Sequence, residues 1–377
     1  MKREPWVCLL LVTACGYDRP VLGALDSTGT AGTGSVQQLA SVSAGQSHAC
    51  ASRGGAIWCW GDDSGTGDHV LLSPTALESA GELTLIAAGE RHTCGLGSTA
   101  VWCWGNNDLG QLGVGDTEAH TDPTRVGGLA ATTALGVGYT HSCAVSDQGS
   151  LWCWGSNTWG ELGDADFSAT ACFPSPRRIG TETDWFAITA GQYHACGLRR
   201  PGTLWCWGIA DERLGLGSTS DTPLLEPTQV GSATDWASVD AGQNDGCGIR
   251  ADGTLWCWGS EGPDLTPVLR PTRIGSDRDW STVSTDVFAR CAIKQDHSLW
   301  CWGRNVEGQL GLGDSADREA PTRVPDPPFW SQISVGRFAT CGFDIDNELW
   351  CSGENASGQL GLGDRRRRNV MTHVPLP

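Results

Sequence analysis

Fourteen of the 17 cysteines occur as seven pairs, and they are the residues of this sequence with the clearest capacity for covalent chemistry. In each pair the cysteines lie nine or ten residues apart and flank a short polar turn segment, such as Asp147-Gln148-Gly149. Cysteines at this spacing can face each other on neighbouring strands of a hairpin at bridging distance. The predicted pairs are Cys50 with Cys59, Cys94 with Cys103, Cys143 with Cys153, Cys196 with Cys206, Cys247 with Cys257, Cys291 with Cys301, and Cys341 with Cys351.

Three chemical states are open to these pairs. Such pairs oxidise outside the cytoplasm, so disulfides are the favoured interpretation, and buried reduced thiols are the alternative. A metal site is disfavoured, because zinc sites use clustered Cys and His ligands that this sequence lacks. Cys172 has no partner in this pairing and is predicted to be free or to bond another molecule. We therefore expect no metal and no cofactor.

The second cysteine of each pair lies between two aromatic residues in a W-C-W-G strand, or in W-C-S-G at the last copy. Side chains alternate along a strand, so Trp58 and Trp60 share one face and Cys59 takes the other. Packing between repeats is the favoured role of these tryptophans, because seven copies fit a core better than one site. An aromatic ligand cage is the alternative.

These motifs belong to one repeat that occurs seven times from residue 41 onward. It consists of an A-G-x-x-H-x-C strand, a turn, a W-C-W-G strand and a P-T-x-V or P-T-x-I strand, and the longer copies add an N-x-x-G-Q-L-G loop. The second cysteine recurs at steps of 44 to 53 residues. Four short strands in a repeat of this length make one propeller blade. The sequence therefore predicts an all-β fold, a seven-bladed β-propeller.

The strings G-x-x-H, W-G-x-N-x-x-G-Q-L-G and P-x-x-V together strongly resemble the regulator of chromosome condensation repeat. The resemblance extends from about Gln38 to Pro377. It implies a seven-bladed propeller that is closed by strands from both chain ends, here residues 369–374 against residues 36–42. Closure of this kind protects sheet edges from pairing with other chains.

The N-terminus, MKREPWVCLLLVTAC, has the order of a signal peptide, and its end resembles a bacterial lipobox. We predict a signal peptide over residues 1–14, a lipidated Cys15 that begins a flexible tether over residues 15–37, and the propeller over residues 38–377. Gly16 is not the Asp of inner-membrane retention signals, which favours the bacterial outer membrane or cell surface. Plain secretion and a chance match are the alternatives.

Charge and motifs exclude several classes of function. The formal net charge of −18 disfavours nucleic-acid binding, because the surface repels phosphate backbones. No run of 18 or more apolar residues exists, so we expect membrane contact through the lipid anchor only. The sequence has no G-x-S-x-G, H-E-x-x-H or P-loop motif, and we predict that the protein is not an enzyme.

Two polar features have a structural and a functional interpretation. A histidine recurs at one repeat position, and a hydrogen-bonded structural role is favoured there over metal binding. These residues are His48, His92, His141 and His194. The basic run 365–368 is interpreted as a solvated loop, and an anionic partner or a lipid headgroup is the alternative.

We expect a monomeric protein-binding or structural scaffold of the cell envelope, because propellers present variable loops on a rigid ring. The long loops of the third and fourth repeats are the predicted contact surface. The candidate contact residues are Trp159, Phe167, Phe173, Arg177 and Arg178. The alternative is an extracellular enzyme inhibitor, since a secreted inhibitor of β-lactamases resembles the same repeat family. Guanine nucleotide exchange is disfavoured for an exported chain.

Overall fold

The computed structural model describes residues 40–62, 70–77, 82–98, 100–129, 131–165, 172–261, 266–325, 327 and 329–377. The predicted signal peptide, Cys15, the tether and Phe167 lie outside the described residues. Within the described residues, 28 strands form seven four-stranded antiparallel sheets, each built from four consecutive strands. The prediction of a seven-bladed β-propeller is confirmed.

The first four blades are these. Blade 1 contains β1 (Ala40–Ala44), β2 (His48–Arg53), β3 (Ala56–Asp62) and β4 (Val70–Leu77). Blade 2 contains β5 (Leu83–Ala88), β6 (His92–Gly97), β7 (Val101–Gly105) and β8 (His120–Arg125). Blade 3 contains β9 (Thr132–Val137), β10 (His141–Ser146), β11 (Leu151–Ser156) and β12 (Cys172–Ile179). Blade 4 contains β13 (Trp185–Ala190), β14 (His194–Arg199), β15 (Thr203–Gly208), the 3-10 helix η1 (Glu212–Leu214) and β16 (Leu224–Gln229).

The last three blades follow the same order. Blade 5 contains β17 (Trp236–Ala241), β18 (Asp245–Arg250), β19 (Leu255–Glu261) and β20 (Thr266–Arg273). Blade 6 contains β21 (Trp280–Asp286), β22 (Ala289–Lys294), β23 (Leu299–Gly303) and β24 (Arg318–Arg323). Blade 7 contains β25 (Trp330–Val335), β26 (Ala339–Asp344), β27 (Leu349–Gly353) and β28 (Arg368–Val374). The first strands of neighbouring blades contact one another, so they lie nearest the propeller axis.

All seven predicted cysteine pairs are disulfide-bonded, and each joins β-strands two and three of its blade. The paired cysteines are direct cross-strand partners, as Cys143 and Cys153 show with a Cα–Cα distance of 4.1 Å. Disulfides of this kind are typical of oxidising compartments. Cys172 is a free thiol at the exposed start of β12.

Disulfides and tryptophans meet at the interfaces between blades. The disulfide of one blade lies on the face that packs against a buried tryptophan of the next blade, as Cys94–Cys103 does against Trp154. The indole nitrogen of Trp154 donates to the Gln111 carbonyl in the loop of blade 2 at 2.9 Å. The predicted role of the tryptophans in packing between repeats is therefore confirmed.

The ring closes differently from the prediction. The described parts of the two end segments lie in different blades, because β1 pairs with β2 and β28 pairs with β27. The closing interface between blades 7 and 1 uses the same contacts as the other interfaces, and Trp60 Nε1 donates to the Gln359 carbonyl at 2.8 Å. Each repeat already supplies four consecutive strands, so no exchanged strand is needed to complete a blade.

No helix among the described residues has the length and apolar character needed to cross a membrane.

Candidate functional site

Seven turns between the first and second strands of the blades form one end of the central axis, and we call them the turn ring. They comprise residues 45–47, 89–91, 138–140, 191–193, 242–244, 287–288 and 336–338. Each turn corresponds to the G-x-x-H segment of its repeat, in which the two x positions vary. The glycine and histidine positions thus belong to the shared framework of the repeat, and the two x positions give each turn its own side chains.

The turn ring encloses a cavity of about 490 Å³, which is in the size range of small-ligand pockets. Six blades contribute to its wall. The lining residues are Glu90, Tyr139, Thr140, Gln192, Tyr193, Gln243, Asn244, Val287, Phe288 and Arg337. Any group that enters this cavity would contact several repeats at once.

One side of the cavity is closed by a hydrogen-bonded group. Arg337 Nη1 donates to the Tyr139 hydroxyl at 3.3 Å, and the side-chain amide of Gln46 lies 3.2 Å from the same hydroxyl. With its nitrogen turned toward Tyr139 and Glu90, the Gln46 amide also accepts from Arg337. Burial raises the pKa of Tyr139, so its hydroxyl stays protonated and can donate.

The other side of the cavity offers polar groups that the fold does not use. Within the described part of the chain, the side-chain amides of Gln192, Gln243 and Asn244 make no hydrogen bond to another residue. Each amide has two donor hydrogens and an acceptor oxygen. These amides can therefore form hydrogen bonds with the N–H and C=O groups of an uncharged peptide segment.

Aromatic and arginine side chains surround the cavity. Trp159 is 40% exposed and lies with its ring centroid 5.9 Å from that of Tyr193, while Arg213 lies 5.9 Å from the Tyr193 centroid. On the opposite side, Phe288 and Phe338 stack at 5.9 Å. Arginine guanidinium groups lie over these two rings as well, Arg304 over Phe288 and Arg337 over Phe338.

The recurring histidines are buried behind the turn ring, between neighbouring blades. His48 Nε2 lies 2.9 Å from Thr93 Oγ1, and His92 Nε2 lies 3.0 Å from Ser142 Oγ. Burial lowers the pKa of His48 to about 4 and that of His92 to about 3, so both imidazoles are neutral at pH 7. Burial of all four histidines supports a structural role. The predicted hydrogen bond is present for His48 and His92, whereas the ring nitrogens of His141 and His194 have no hydrogen-bond partner among the described residues.

A charged pair replaces the histidine at the interface between blades 5 and 6. Asp245 stands at the histidine position, and its Oδ2 accepts from Arg290 Nε at 2.8 Å and from Thr285 Oγ1 at 2.8 Å. Both charged side chains are almost fully buried. Burial raises the pKa of Asp245 to about 6, although the neighbouring Arg290 opposes this shift.

The predicted contact residues separate into two groups. Trp159 lies in the loop between β11 and β12 and contacts Tyr193 of the turn ring in the next blade. Phe173 and Arg177 lie on β12, where the guanidinium is 4.3 Å from the Phe173 centroid and pairs with Asp164 at 2.6 Å. Arg178 is exposed on the same strand and donates to the Thr181 carbonyl. Their role in binding a partner stays a prediction.

Sequence reasoning missed most of the cavity. The cavity residues Tyr139, Gln243, Phe288 and Arg337 differ in type from repeat to repeat. An alignment of the repeats therefore gives no sign that these turn residues act together. Their place at the two variable positions of the A-G-x-x-H turn was the available signal, because closed repetition brings equivalent turns together around one axis.

Comparison with known families gives repeated matches along the chain. A model described as "Regulator of chromosome condensation (RCC1) repeat" matches residues 100–145, 148–198 and 296–342. A second model with the same description matches residues 84–111, 133–160, 187–212 and 330–359. The two models together match about half of the chain. A search of curated proteins found no match.

Solved structures show the same fold. Human WBSCR16 is 21% identical, with a TM-score of 0.76 over 85% of this chain and 94% of that chain. Yeast RCC1 (Prp20) bound to Kap60 is 19% identical, with a TM-score of 0.74 over 85% of this chain and 84% of that chain. Prp20p from Saccharomyces cerevisiae is 18% identical, with a TM-score of 0.72 over 88% of this chain and 86% of that chain.

Proposed function

The chain belongs to the regulator of chromosome condensation (RCC1) repeat family, and we propose that it is a scaffold that binds a protein partner at the turn ring. The observation that carries the proposal is the cavity to which six blades contribute, with aromatic and arginine side chains around it. Two similar structures are of Prp20, which is described bound to Kap60 and in its binding to Gsp1p and histones. Protein binding is therefore compatible with this fold.

The residue types at the turn ring favour a protein partner. Trp, Tyr and Arg are enriched among the residues that contribute most to protein–protein affinity, and such residues cluster at the centre of interfaces. Trp159, Tyr193 and Arg213 form such a group at one side of the cavity. The unpaired amides nearby can hydrogen-bond the backbone of an inserted loop.

We propose binding without catalysis, since the four recurring histidines lie buried between blades rather than beside an exposed nucleophile. An enzyme as the bound partner would turn the scaffold into an inhibitor, which is the alternative function. The expectation that the chain does not exchange guanine nucleotides stays a prediction.

Photo-crosslinking in bacterial cells that express the full chain tests the proposal. A photoreactive residue replaces Tyr193 or Gln243 in the turn ring, and Asp147 or Asp252 in turns at the opposite end of the blades serves as the matched control. We expect one envelope protein, identified by mass spectrometry, from all turn-ring positions and from neither control. Adducts of equal yield from both ends, or none from the turn ring, would contradict the proposal. An adduct between two copies would contradict the expected monomer.

We propose that the protein is exported and lipid-anchored through Cys15. The disulfides support the oxidising compartment, and the N-terminal sequence supports the anchor. Intact mass of the membrane fraction, with and without reduction, tests both parts. We expect an acylated chain that begins at Cys15 and has seven disulfides. A soluble chain that retains Met1 and has free thiols would overturn this location.

A further inference from the structure

Three blades share one loop framework at the edge of the face that carries the turn ring. In each, the asparagine of the N-x-x-G-Q-L-G motif donates to an aspartate nine residues later, and a basic residue four positions further on contacts that aspartate. The three sets are Asn107, Asp116 and His120; Asn305, Asp314 and Arg318; and Asn355, Asp364 and Arg368. Arg368 therefore belongs to the framework of the repeat.

The three residues between the aspartate and the basic residue differ sharply in charge. They are Thr117-Glu118-Ala119 in blade 2, Ser315-Ala316-Asp317 in blade 6 and Arg365-Arg366-Arg367 in blade 7. The backbone is held in the same way in all three, because the middle residue's N–H donates to the aspartate at 3.1, 3.0 and 2.9 Å, respectively. The loop thus folds without arginines, and blade 7 carries three positive charges that the framework does not require.

These three arginines, which we call the arginine loop, are exposed. Arg365 donates to the Ala356 carbonyl at 2.9 Å, and Arg367 lies 3.7 Å from Glu307. Among the described residues, the Arg366 guanidinium has no hydrogen-bond or ion-pair partner. Surface contacts of this kind contribute little to stability, and three adjacent cations repel one another. Stability of the fold therefore does not explain the cluster.

Exposed apolar side chains lie beside the arginine loop. Val306 is 42% exposed, and its carbonyl is 3.4 Å from Arg367 Nη1. Val370 is 47% exposed and follows the loop at the start of β28. The local surface thus combines an apolar patch with cations, on a chain whose net charge is −18.

We propose that the arginine loop, with Val306 and Val370, docks an acidic protein segment that also carries apolar side chains. The planar guanidinium group matches carboxylates in bidentate geometry, and the two valines offer apolar contact. An anionic membrane or a nucleic acid is an extended surface, so it would also approach the rest of this acidic protein and be repelled by it. A short protein segment would contact the arginine loop without that repulsion. The inference rests on the proposed protein-binding function and adds a contact outside the cavity.

Binding of synthetic peptides tests this inference on the full chain. The probe peptides alternate Glu and Asp with Leu, Val and Phe, and matched peptides carry Gln and Asn instead of the acids. The variant combines Arg365→Ser, Arg366→Ala and Arg367→Ala. The control removes three exposed arginines on outer strands, Arg125→Ala, Arg270→Ala and Arg323→Ala, so that the net charge changes equally.

We expect the acidic peptides to bind the wild type and the control, and the arginine-loop variant to bind about tenfold more weakly at low salt. Equal weakening in the control, or equal binding of the amide peptides, would overturn the inference. Binding of phosphatidylserine vesicles in place of the peptides would also overturn it. Crosslinking at the turn ring reports the proposed function separately, because the arginine loop lies outside the cavity.

Discussion

The interface between blades 2 and 3 and the interface between blades 5 and 6 occupy equivalent places in the ring, but they are held by different chemistry. At the first, neutral His92 bonds Ser142. At the second, Asp245 pairs with Arg290, which stands at the position of Ser142 in its own blade. The histidine and its partner have been replaced together, so the geometry of the interface is kept while its charge state changes.

A second joint replacement occurs in blade 7. Ser352 stands where the other blades have the second tryptophan, and Met371 stands where they have the proline of P-T. Both side chains lie against Gly311 of the preceding loop, the position that faces a tryptophan indole in other blades. The histidine-to-hydroxyl bond joins blades 1 and 2 and blades 2 and 3, whereas blades 5 to 7 carry replacements in which two residues have changed together.

The largest effect is expected from Arg290→Ala. It leaves the Asp245 carboxylate buried without its cation, and breaking a buried ion pair in this way costs about 3–5 kcal/mol. The free energy of unfolding, measured by denaturant titration with the disulfides intact, checks this. Asp245→His combined with Arg290→Ser rebuilds the pair of blades 2 and 3, and it should recover most of the loss. No recovery would show that the two interfaces are not equivalent.

Met371→Ala is the next test, because it removes the side chain that fills the space beside Ser352. Met371 packs against Trp330 and Leu310, and truncation of such a buried residue costs about 2–4 kcal/mol. Denaturant unfolding measures the change, and the exposed neighbour Val370→Ala serves as control. Surface substitutions usually change the free energy of unfolding by no more than about 0.5 kcal/mol. Similar losses of stability in both variants would therefore contradict the idea that Met371 fills the space beside Ser352.

The two kinds of interface should respond to pH in opposite directions. Burial lowers the pKa of His48 from 6.5 to about 4, so the unfolded chain binds the proton first and stability falls as pH drops from 6.5 toward 4. At the interface between blades 5 and 6, Asp286 Oδ1 accepts from the Gln243 backbone N–H at 3.2 Å. Burial raises the pKa of the Asp286 carboxyl group from 3.8 to about 7, so the folded chain binds the proton first. At the carboxylate, stability falls as pH rises from about 4 to 7.

Two neutral substitutions separate these contributions in unfolding measurements across pH 4 to 8. His48→Gln should remove up to about 3 kcal/mol of the loss that acid causes. Asp286→Asn should be more stable than the wild type at pH 8, where the buried carboxyl group is ionised, and should gain less at pH 4, where it is protonated. Parallel pH profiles for the two variants would show that the histidine and carboxylate interfaces do not differ as described.

The sequence predicted the strand repeats, the propeller and all disulfide pairs, because hairpin spacing and period-two alternation are local. It did not predict that Asp245 pairs with Arg290, since these residues lie in separate repeats and only the closed ring brings them together. The sequence did not predict the cavity either, because its lining residues also come from separate repeats. The assumed exchange of end strands failed because it came from family resemblance, while the repeat boundaries already supplied four strands per blade.

The smallest effect is expected from Ser142→Ala, which tests the neutral interface. The change removes the hydroxyl that lies 3.0 Å from His92 Nε2 and donates to the Gln111 carbonyl. Neutral hydrogen bonds contribute about 1 kcal/mol each, so we expect a loss of about 1–2 kcal/mol in denaturant unfolding. Blade 4 already has Ala195 at the equivalent position, beside His141, which shows that the ring accommodates this loss. A loss as large as that of Arg290→Ala would mean that charge is not what distinguishes the two interfaces.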